Sequence, residues 1–283
     1  MPRAVALFTH DERQETATAV TRLLEVARDR HVEVRVSAEE MEKHDLGGST
    51  GVALLDPTRL TCDLAVVLGG DGTTLQALRV FSGRAVPVFS FNYGAIGFLA
   101  TVEESELEDG LRRAFSGDFE LLSMPALTVH LDGRRRVAVN DVSLHRRANE
   151  RVAELAYSVA GEQLAKVRCD GLVASTSTGS TGYNLANGGP VLAWGVSGFV
   201  VSFIAPHSLT ARPLVVATED VLQVTNGSPR DDVDVTTDGR IVGSLAPGSS
   251  VDMRVEQDQA LLAQLPGSTF YHRLKQKFGR LAN

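Results

Sequence analysis

Apolar positions first gather at residues 3–8, with the length and continuity of a buried β-strand. Residues 11–30, DERQETATAVTRLLEVARDR, place Val20, Leu23, Leu24 and Ala27 at helical spacing behind an acidic start. VEVRV reads as a second strand, residues 45–51 (DLGGSTG) as a loop, and Leu64–Leu68 as another unbroken apolar strand. The pattern then predicts a helix from about Thr73, a strand over AVPVFSF and an acidic-start helix near Glu103–Phe115. Strands alternating with helices imply βαβ units, a parallel sheet and right-handed crossovers.

The pattern changes after about residue 118. ALTVHL, RVAVNDVSLHR, VAELAYSVA, FVVSFI, PLVVA, VLQVTN and DVDVTT are short, β-branched and often alternating, with turn residues between them. That is the signature of an antiparallel sandwich. A short helix is expected at about Thr181–Asn187, and the tail STFYHRLKQKFGRLA reads as a basic amphipathic helix. The expected organisation is an α/β domain over 1–118, a β-rich domain over 119–264, and a last helix, 265–283, that returns to the first domain.

Chemistry concentrates where the Leu64–Leu68 strand meets its helix. The joint is GGDGTTL, Gly69–Leu75. A strand, a glycine turn and a helix start together make a phosphate-binding arrangement, because free N–H groups and the positive end of the helix dipole face the turn. It is neither a Walker A loop, having no Gly-Lys-[ST], nor G-x-G-x-x-G. A carboxylate inside such a loop repels phosphate unless a metal intervenes or Asp71 handles a hydroxyl that attacks a phosphoryl group. The alternative is that Asp71 only caps the helix.

Two further stretches bear on that choice. Ser175–Thr181 holds six Ser and Thr residues and one Gly between a buried strand and a helix start, a set suited to sugar hydroxyls, base edges or phosphate. Asn140–Asp141 interrupts a strand pattern. Such a pair is often a bulge or turn, but a carboxylate can also clamp vicinal ribose hydroxyls.

The formal net charge of −7 argues against a nucleic-acid partner, although a local nest of N–H groups can still hold phosphate. The longest nearly apolar segment, AWGVSGFVVSFIA, is too short to span a bilayer, so no membrane partner is expected and the cytoplasm is the expected location. Cys62 and Cys169 are too far apart in sequence for a zinc spacing, and the seven histidines, His145 and His207 among them, show no metal-ligand spacing.

These pieces, in this order, resemble the NAD kinase family. The matching stretches are GGDGTTL, NYGAIGFL (Asn92–Leu99), Asn140–Asp141, DGLVASTSTGSTGYNLANGGP (Asp170–Pro190), PHSLTARPLVV (Pro206–Val216), Asp238–Gly239 and the C-terminal FYHRLKQKFG. The glycine–aspartate loop is shared with lipid kinases, whereas the Asp170–Pro190 and Pro-His-Ser-Leu stretches are much more specific. The resemblance implies an enzyme that moves the γ-phosphoryl of ATP, or a phosphoryl of polyphosphate, to the 2′-hydroxyl of the adenosine ribose of NAD. Mg²⁺ would ride on the donor phosphates with no protein metal site, and the assembly would be a homodimer or homotetramer. Asp71 would accept the hydroxyl proton and lie on NAD with Gly72. Gly69, Gly70, Gly72 and Thr73 would lie near donor phosphates. Asn140 and Asp141 would hold ribose, and Asp170 the nicotinamide side with Arg168 as a basic contact nearby. Thr181, Gly182, Tyr183, Asn184, Leu185 and Ala186 would face the adenine nucleotide. This chain departs from the family at Asp141 (usually Glu), Ser177 (usually Pro), Gly182 (usually Ala) and Trp194 (often Pro). The rival readings are a lipid kinase using the same loop and a non-catalytic dinucleotide-binding regulator.

Overall fold

The computed structural model describes residues 2–94 and 97–279. Ala95 and Ile96 of the Asn92–Leu99 stretch, and the last four residues of the expected C-terminal helix, lie outside the described residues. The chain divides into two compact units, Met1–Ser123 with Ala260–Asn283, and Met124–Gln259.

The first unit is α/β. In chain order it holds β1 (Ala4–Thr9), α1 (Arg13–Asp29), β2 (Glu33–Val36), α2 (Ala38–Lys43), β3 (Val52–Leu54), β4 (Leu64–Gly69), α3 (Asp71–Val80), β5 (Pro87–Asn92), β6 (Val102–Glu103) and α4 (Leu107–Ser116). Its strands β5, β4, β1, β2 and β3 lie side by side in that order, all parallel. Strand β1 pairs with β4 in register Thr9↔Leu68, so the glycine loop leaves the sheet beside the end of β1. α1 lays Ala19, Val20, Leu23 and Ala27 against Val5, Leu7, Val34 and Val66, the stripe its apolar spacing predicts. α2 was not expected. Ser37 caps it by accepting from the Glu40 N–H at 3.1 Å, and at six residues it is too short to show a period.

The second unit is antiparallel β. The remaining elements are β7 (Glu120–Leu131), β8 (Arg134–Ala138), β9 (Asp141–Arg146), β10 (Ala153–Val159), β11 (Glu162–Cys169), β12 (Gly171–Ser175), α5 (Tyr183–Ala186), β13 (Phe199–Ile204), β14 (Leu214–Val216), β15 (Leu222–Asn226), β16 (Val233–Thr237), β17 (Arg240–Leu245), β18 (Ser250–Gln264) and α6 (Phe270–Phe278). Six strands form one sheet in the order β14-β13-β12-β9-β16-β17. The apolar face of β9, β12 and β16 (Val142, Leu144, Leu172, Ala174, Val235) shares one core with Leu155 of β10, Val224 of β15 and Met253 of β18. Two sheets packed face to face are the sandwich the alternation predicts.

The C-terminal stretch rejoins the first unit. The end of β18 adds to β5 in parallel, Leu261↔Pro87. α6 is capped by Thr269, stacks Phe270 on Phe98 at 6.3 Å, and buries Arg273. The expectation that the last helix folds back is met over Phe270–Phe278.

Candidate functional site

In the first unit the helix begins earlier than its sequence suggests. Asp71 is its first residue and Gly70 is the N-cap, with no side-chain capping bond. Capping therefore does not explain Asp71. Its two carboxylate oxygens instead accept backbone N–H groups from another segment, Phe98 at 2.8 Å and Leu99 at 2.9 Å. That segment can approach only because residue 97 is glycine, since a Cβ there would lie 1.9 Å from Asp71 Oδ1. Arg273 of α6 holds the same segment from behind by donating to Phe98 O at 2.7 Å and to Ala100 O. Burial pulls the Arg273 guanidinium below its ordinary pKa, while Asp71 and Glu103 oppose the shift. Neither Gly97 nor Arg273 was singled out as a site residue in the sequence. The family-like FYHRLKQKFG stretch was the available signal for Arg273.

The glycine loop itself is tightly held on one side and open on the other. Thr74 is buried, and its hydroxyl donates to Gly70 O and meets Ser90 Oγ at 2.6 Å. A Cβ at Gly69 would meet Thr73 Oγ1 at 2.6 Å, so that position must stay small. A Cβ at Gly70 or Gly72 would meet no described atom within 4 Å, which leaves the backbone there open to a ligand.

In the second unit, alternation along β9 sends Asp141, Ser143 and His145 to the face opposite the core. Thr236 joins Ser143 at 2.6 Å, and His145 Nε2 meets Ser143 Oγ at 2.8 Å. This polar face is covered by the Thr176–Ala186 segment. Asn140 is not inside a strand. It sits in the break between β8 and β9, where the chain turns.

The break is built from Asp238 and Gly239, a two-residue hairpin turn with both φ positive (46° and 74°) between β16 and β17. The Asp238 carboxylate accepts the N–H groups of Val139, Asn140 and Asp141 at 3.0, 2.8 and 3.1 Å. Asp141 is 7% exposed. Burial first, and the Asp238 charge second, push its carboxyl up to about 7. The Asp238–Gly239 pair appeared in the family-like pattern without a role; its part is to shape this loop.

Most hydroxyls of the Ser/Thr stretch lie inside the fold, and two of them serve its backbone. Ser175, Thr176, Ser177, Thr178 and Ser180 are all buried. Thr176 Oγ1 donates to Val139 O at 2.7 Å, and Ser180 Oγ donates to Ser177 O at 2.7 Å and accepts from Leu192 N at 2.9 Å. The stretch is therefore a brace. Gly179 lets it reach the Asn140 backbone, where a Cβ would lie 2.1 Å from Asn140 O. Asn184 likewise points inward, donating to Ser180 O and Pro190 O at 3.0 Å. Asn140 Oδ1, Ser175 Oγ, Thr178 Oγ1 and Asn184 Oδ1 are buried without a hydrogen-bond partner, so polar capacity remains around the brace.

Tyr183 does face outward, 37% exposed, with its ring stacked on His145 at 5.7 Å and 16°. Burial, Asp141 and Asp170 push its phenol up. Burial lowers the His145 imidazole, with Asp234 opposing, so the ring stacks as the neutral form at pH 7. His145 was set aside in the sequence for want of metal spacing, and stacking leaves no spacing signal. Asp170 is half-buried and tied to Arg146 Nε at 2.5 Å, a partner the sequence did not mark. Arg168 lies on β11 with an exposed side chain, Gly182 and Ala186 are exposed, and Thr181 and Leu185 are half-buried. Thr181 Oγ1 donates within the brace to Thr178 O at 3.3 Å. The structure thus brings Asp141, Asp170, His145 and Tyr183 together in the second unit, and Asp71 with the Gly69–Thr73 loop in the first.

Among known proteins, residues 5–119 match the model of the ATP-NAD kinase N-terminal domain, and residues 139–265 that of the ATP-NAD kinase C-terminal domain. The chain is 35% identical over 225 residues to an NAD kinase of Gemmatimonas aurantiaca, covering 77% of each protein. It is 32% identical over 263 residues to an NAD kinase of Solibacter usitatus, covering 91% of each. Its fold is similar to that of yeast NADH kinase complexed with NADH (TM-score 0.89, 23% identity, 99% of this chain and 89% of that one). It is also similar to that of an NAD kinase from Archaeoglobus fulgidus in complex with ATP (TM-score 0.74, 24% identity, 99% and 98%).

Proposed function

Because this chain belongs to the NAD kinase family, we propose that it transfers the γ-phosphoryl of ATP to the 2′-hydroxyl of the adenosine ribose of NAD, yielding NADP. The observation that carries the reading is Asp71. A carboxylate is held at the first turn of α3 by two N–H groups from a different segment, on a loop whose Gly70 and Gly72 backbone is open. Each carboxylate oxygen has a further lone pair free to accept an O–H.

In this reading the ribose 2′-hydroxyl donates to Asp71, which orients it and takes its proton as the new O–P bond forms and the bond from the γ-phosphorus to the bridging oxygen breaks, releasing ADP. The N–H groups at the start of α3, with Gly69, Gly70, Gly72 and Thr73, receive the donor phosphates, where the helix dipole favours negative charge. Asn140 and Asp141 hold ribose hydroxyls, and Asp170 and Arg168 lie toward the nicotinamide side. Tyr183 packs on the adenine nucleotide, with Thr181, Gly182, Asn184, Leu185 and Ala186 shaping the surface beneath it.

Among the described residues no three His, Cys, Asp or Glu side chains converge to hold a metal. Each Asp71 oxygen already takes one backbone N–H, which leaves one lone pair on each for the ribose hydroxyl. The donor set suits a Mg²⁺ ion that arrives on the triphosphate as part of the substrate. Rate acceleration then rests on positioning and charge neutralisation. Polyphosphate offers the same phosphates to the same loop. A homodimer or homotetramer in the cytoplasm completes the proposal; no helix among the described residues is long and apolar enough to cross a membrane.

A lipid kinase would need an apolar acceptor surface. The face of β9 away from the core carries Asp141, Ser143 and His145 instead, polar surroundings that suit a sugar-bearing acceptor. Incubating the purified protein with NAD, ATP and Mg²⁺ and resolving the products by chromatography tests the proposal. NADP must appear with ADP in equal amounts. NAD binding without NADP formation would favour the regulator, and phosphorylation of diacylglycerol in place of NAD would favour the lipid kinase.

A further inference from the structure

Four arginines line a single cavity in the first unit, at the edge of the sheet opposite the glycine loop. Arg3 precedes β1, Arg35 lies in β2, Arg59 stands on the segment leading into β4, and Arg84 on the segment leading into β5. The cavity measures about 550 Å³, within the range of about 300–1,000 Å³ usual for small-molecule sites. Strand β4 has six residues and separates the cavity from Gly69 by about 20 Å. This site is therefore distinct from the loop that carries Asp71.

The charge in the cavity is poorly balanced. Asp63 is the one carboxylate that lines it. That carboxylate is already used, accepting the N–H groups of Arg3 at 2.6 Å and Ala4 at 3.1 Å, which hold it below the ordinary carboxylate range. Arg35 is paired with Glu33 and pins the segment through Thr61 O and Thr61 Oγ1. The side chains of Arg3, Arg59 and Arg84 make no salt bridge among the described residues. A chain with a net charge of −7 thus gathers three guanidiniums that make no salt bridge among the described residues, beside the Arg35–Glu33 pair and the committed Asp63 carboxylate. Like charges brought together repel, and a multiply charged anion relieves that repulsion.

The segment that presents Arg59 is locally fixed. Asp56 Oδ1 accepts from Thr58 N at 2.8 Å and from Thr58 Oγ1 at 2.6 Å, and Arg84 Nη1 donates to Arg59 O at 3.5 Å. Cys62 also lines the cavity, but burial pushes its thiol up to about 11, so it contributes no thiolate at neutral pH. Recognition is left to the guanidiniums, whose planar forks match phosphate oxygens two at a time. Leu60 and Val86 supply apolar wall.

We infer that this cavity binds a small anion carrying two or more phosphoryl groups, at a site separate from the glycine loop. Inorganic tripolyphosphate and ATP share the chemistry that the arginines recognise, and comparing them shows whether a nucleoside adds to it. The test is calorimetric titration of the full-length protein with inorganic tripolyphosphate, and separately with ATP, at low ionic strength and without NAD. The wild type and the double variant Arg59→Glu/Arg84→Glu are compared, with Arg59→Gln/Arg84→Gln as the milder pair. The wild type should show a tripolyphosphate site that the Gln pair weakens about tenfold or more per arginine and the Glu pair abolishes. KM for ATP in NADP formation should stay unchanged in both. Tighter binding of ATP than of tripolyphosphate at this site would assign it to nucleotides; the reverse would assign it to inorganic phosphates. Absence of any tripolyphosphate site lost on charge removal would overturn the inference. So would a change of oligomeric state in the variants with anion binding intact, because the arginines would then serve a second copy of the chain.

Discussion

Replacing Asp141 by asparagine removes a carboxyl whose ionisation the fold opposes, and the resulting change in stability has a definite sign. The Asp141 carboxyl rises from its ordinary 3.8 to about 7, through burial and then through the Asp238 charge. A group with a raised folded pKa contributes stability that is present in full below the unfolded value. That stability is lost as pH climbs through the folded value, because the unfolded chain releases its proton first. With the two values 3.8 and about 7, the contribution is roughly 2–3 kcal/mol at pH 5 and close to zero at pH 8, at roughly 1.36 kcal/mol per pKa unit. Asparagine has nearly the same shape and no proton to lose, so its stability lacks this slope. The melting temperature of Asp141→Asn minus that of wild type should therefore rise by about 5–10 °C from pH 5 to pH 8, taking roughly 2–4 °C per kcal/mol for a chain of this size. Differential scanning calorimetry at matched ionic strength reads it. Carboxylates that do not face Asp141 titrate alike in both proteins and cancel. Parallel curves would refute the argument, since they would mean that Asp141 ionises as freely in the folded chain as in the unfolded one.

Asp71→Asn should lower kcat for NADP formation by about 10²–10⁴. It should also lose about 1.5–3 kcal/mol of stability, because an amide NH₂ would oppose the Phe98 or Leu99 N–H that a carboxylate oxygen now accepts; a kcat near wild type would remove Asp71 from the chemistry. Gly97→Ala should abolish activity with the Asp71 side chain untouched, since its Cβ needs the space 1.9 Å from Asp71 Oδ1, and an active, normally melting variant would refute that coupling. Tyr183→Ala should raise KM for NAD about 2- to 10-fold, the worth of one aromatic stack, and leave KM for ATP alone; equal changes in both would place Tyr183 elsewhere.

Long periodic elements were legible and short or isolated ones were not. The α1 stripe and the unbroken apolar strands β1 and β4 followed from spacing alone, because each buries a whole face. α2 was missed because six residues rest on one Ser37 cap. β11, EQLAKVRC, was missed because its exposed side chains leave only a faint alternation, and β17 because it continues from a tight hairpin. β18 was missed because the polar run Glu256–Gln259 interrupts it between the alternating Val251, Met253 and Val255 and the apolar stretch that begins at Ala260.

The candidate site divides along a physical line. The candidate residues announced themselves by type: an aspartate among glycines, an Asn–Asp pair breaking a strand. What holds them did not, because the holding is done by backbone. Asp71 is fixed by the N–H groups of Phe98 and Leu99, and the Asn140–Asp141 backbone by the Asp238 carboxylate. Both are contacts between residues 27 to 98 positions apart. The two anchors are mirror images. In one, a site carboxylate takes N–H groups from a loop; in the other, a loop carboxylate takes N–H groups from the site. A glycine allows a close approach beside each, Gly97 against the Asp71 carboxylate and Gly179, from the Ser/Thr stretch, against the Asn140 backbone. The bracing part of the hydroxyl-rich stretch was illegible for the same reason. Ser and Thr are as good at satisfying buried backbone as at meeting a ligand, and only burial separates the two uses. Here Thr176 and Ser180 are fully buried, so the stretch sets the position of Tyr183 and Asp141 without presenting those two hydroxyls itself.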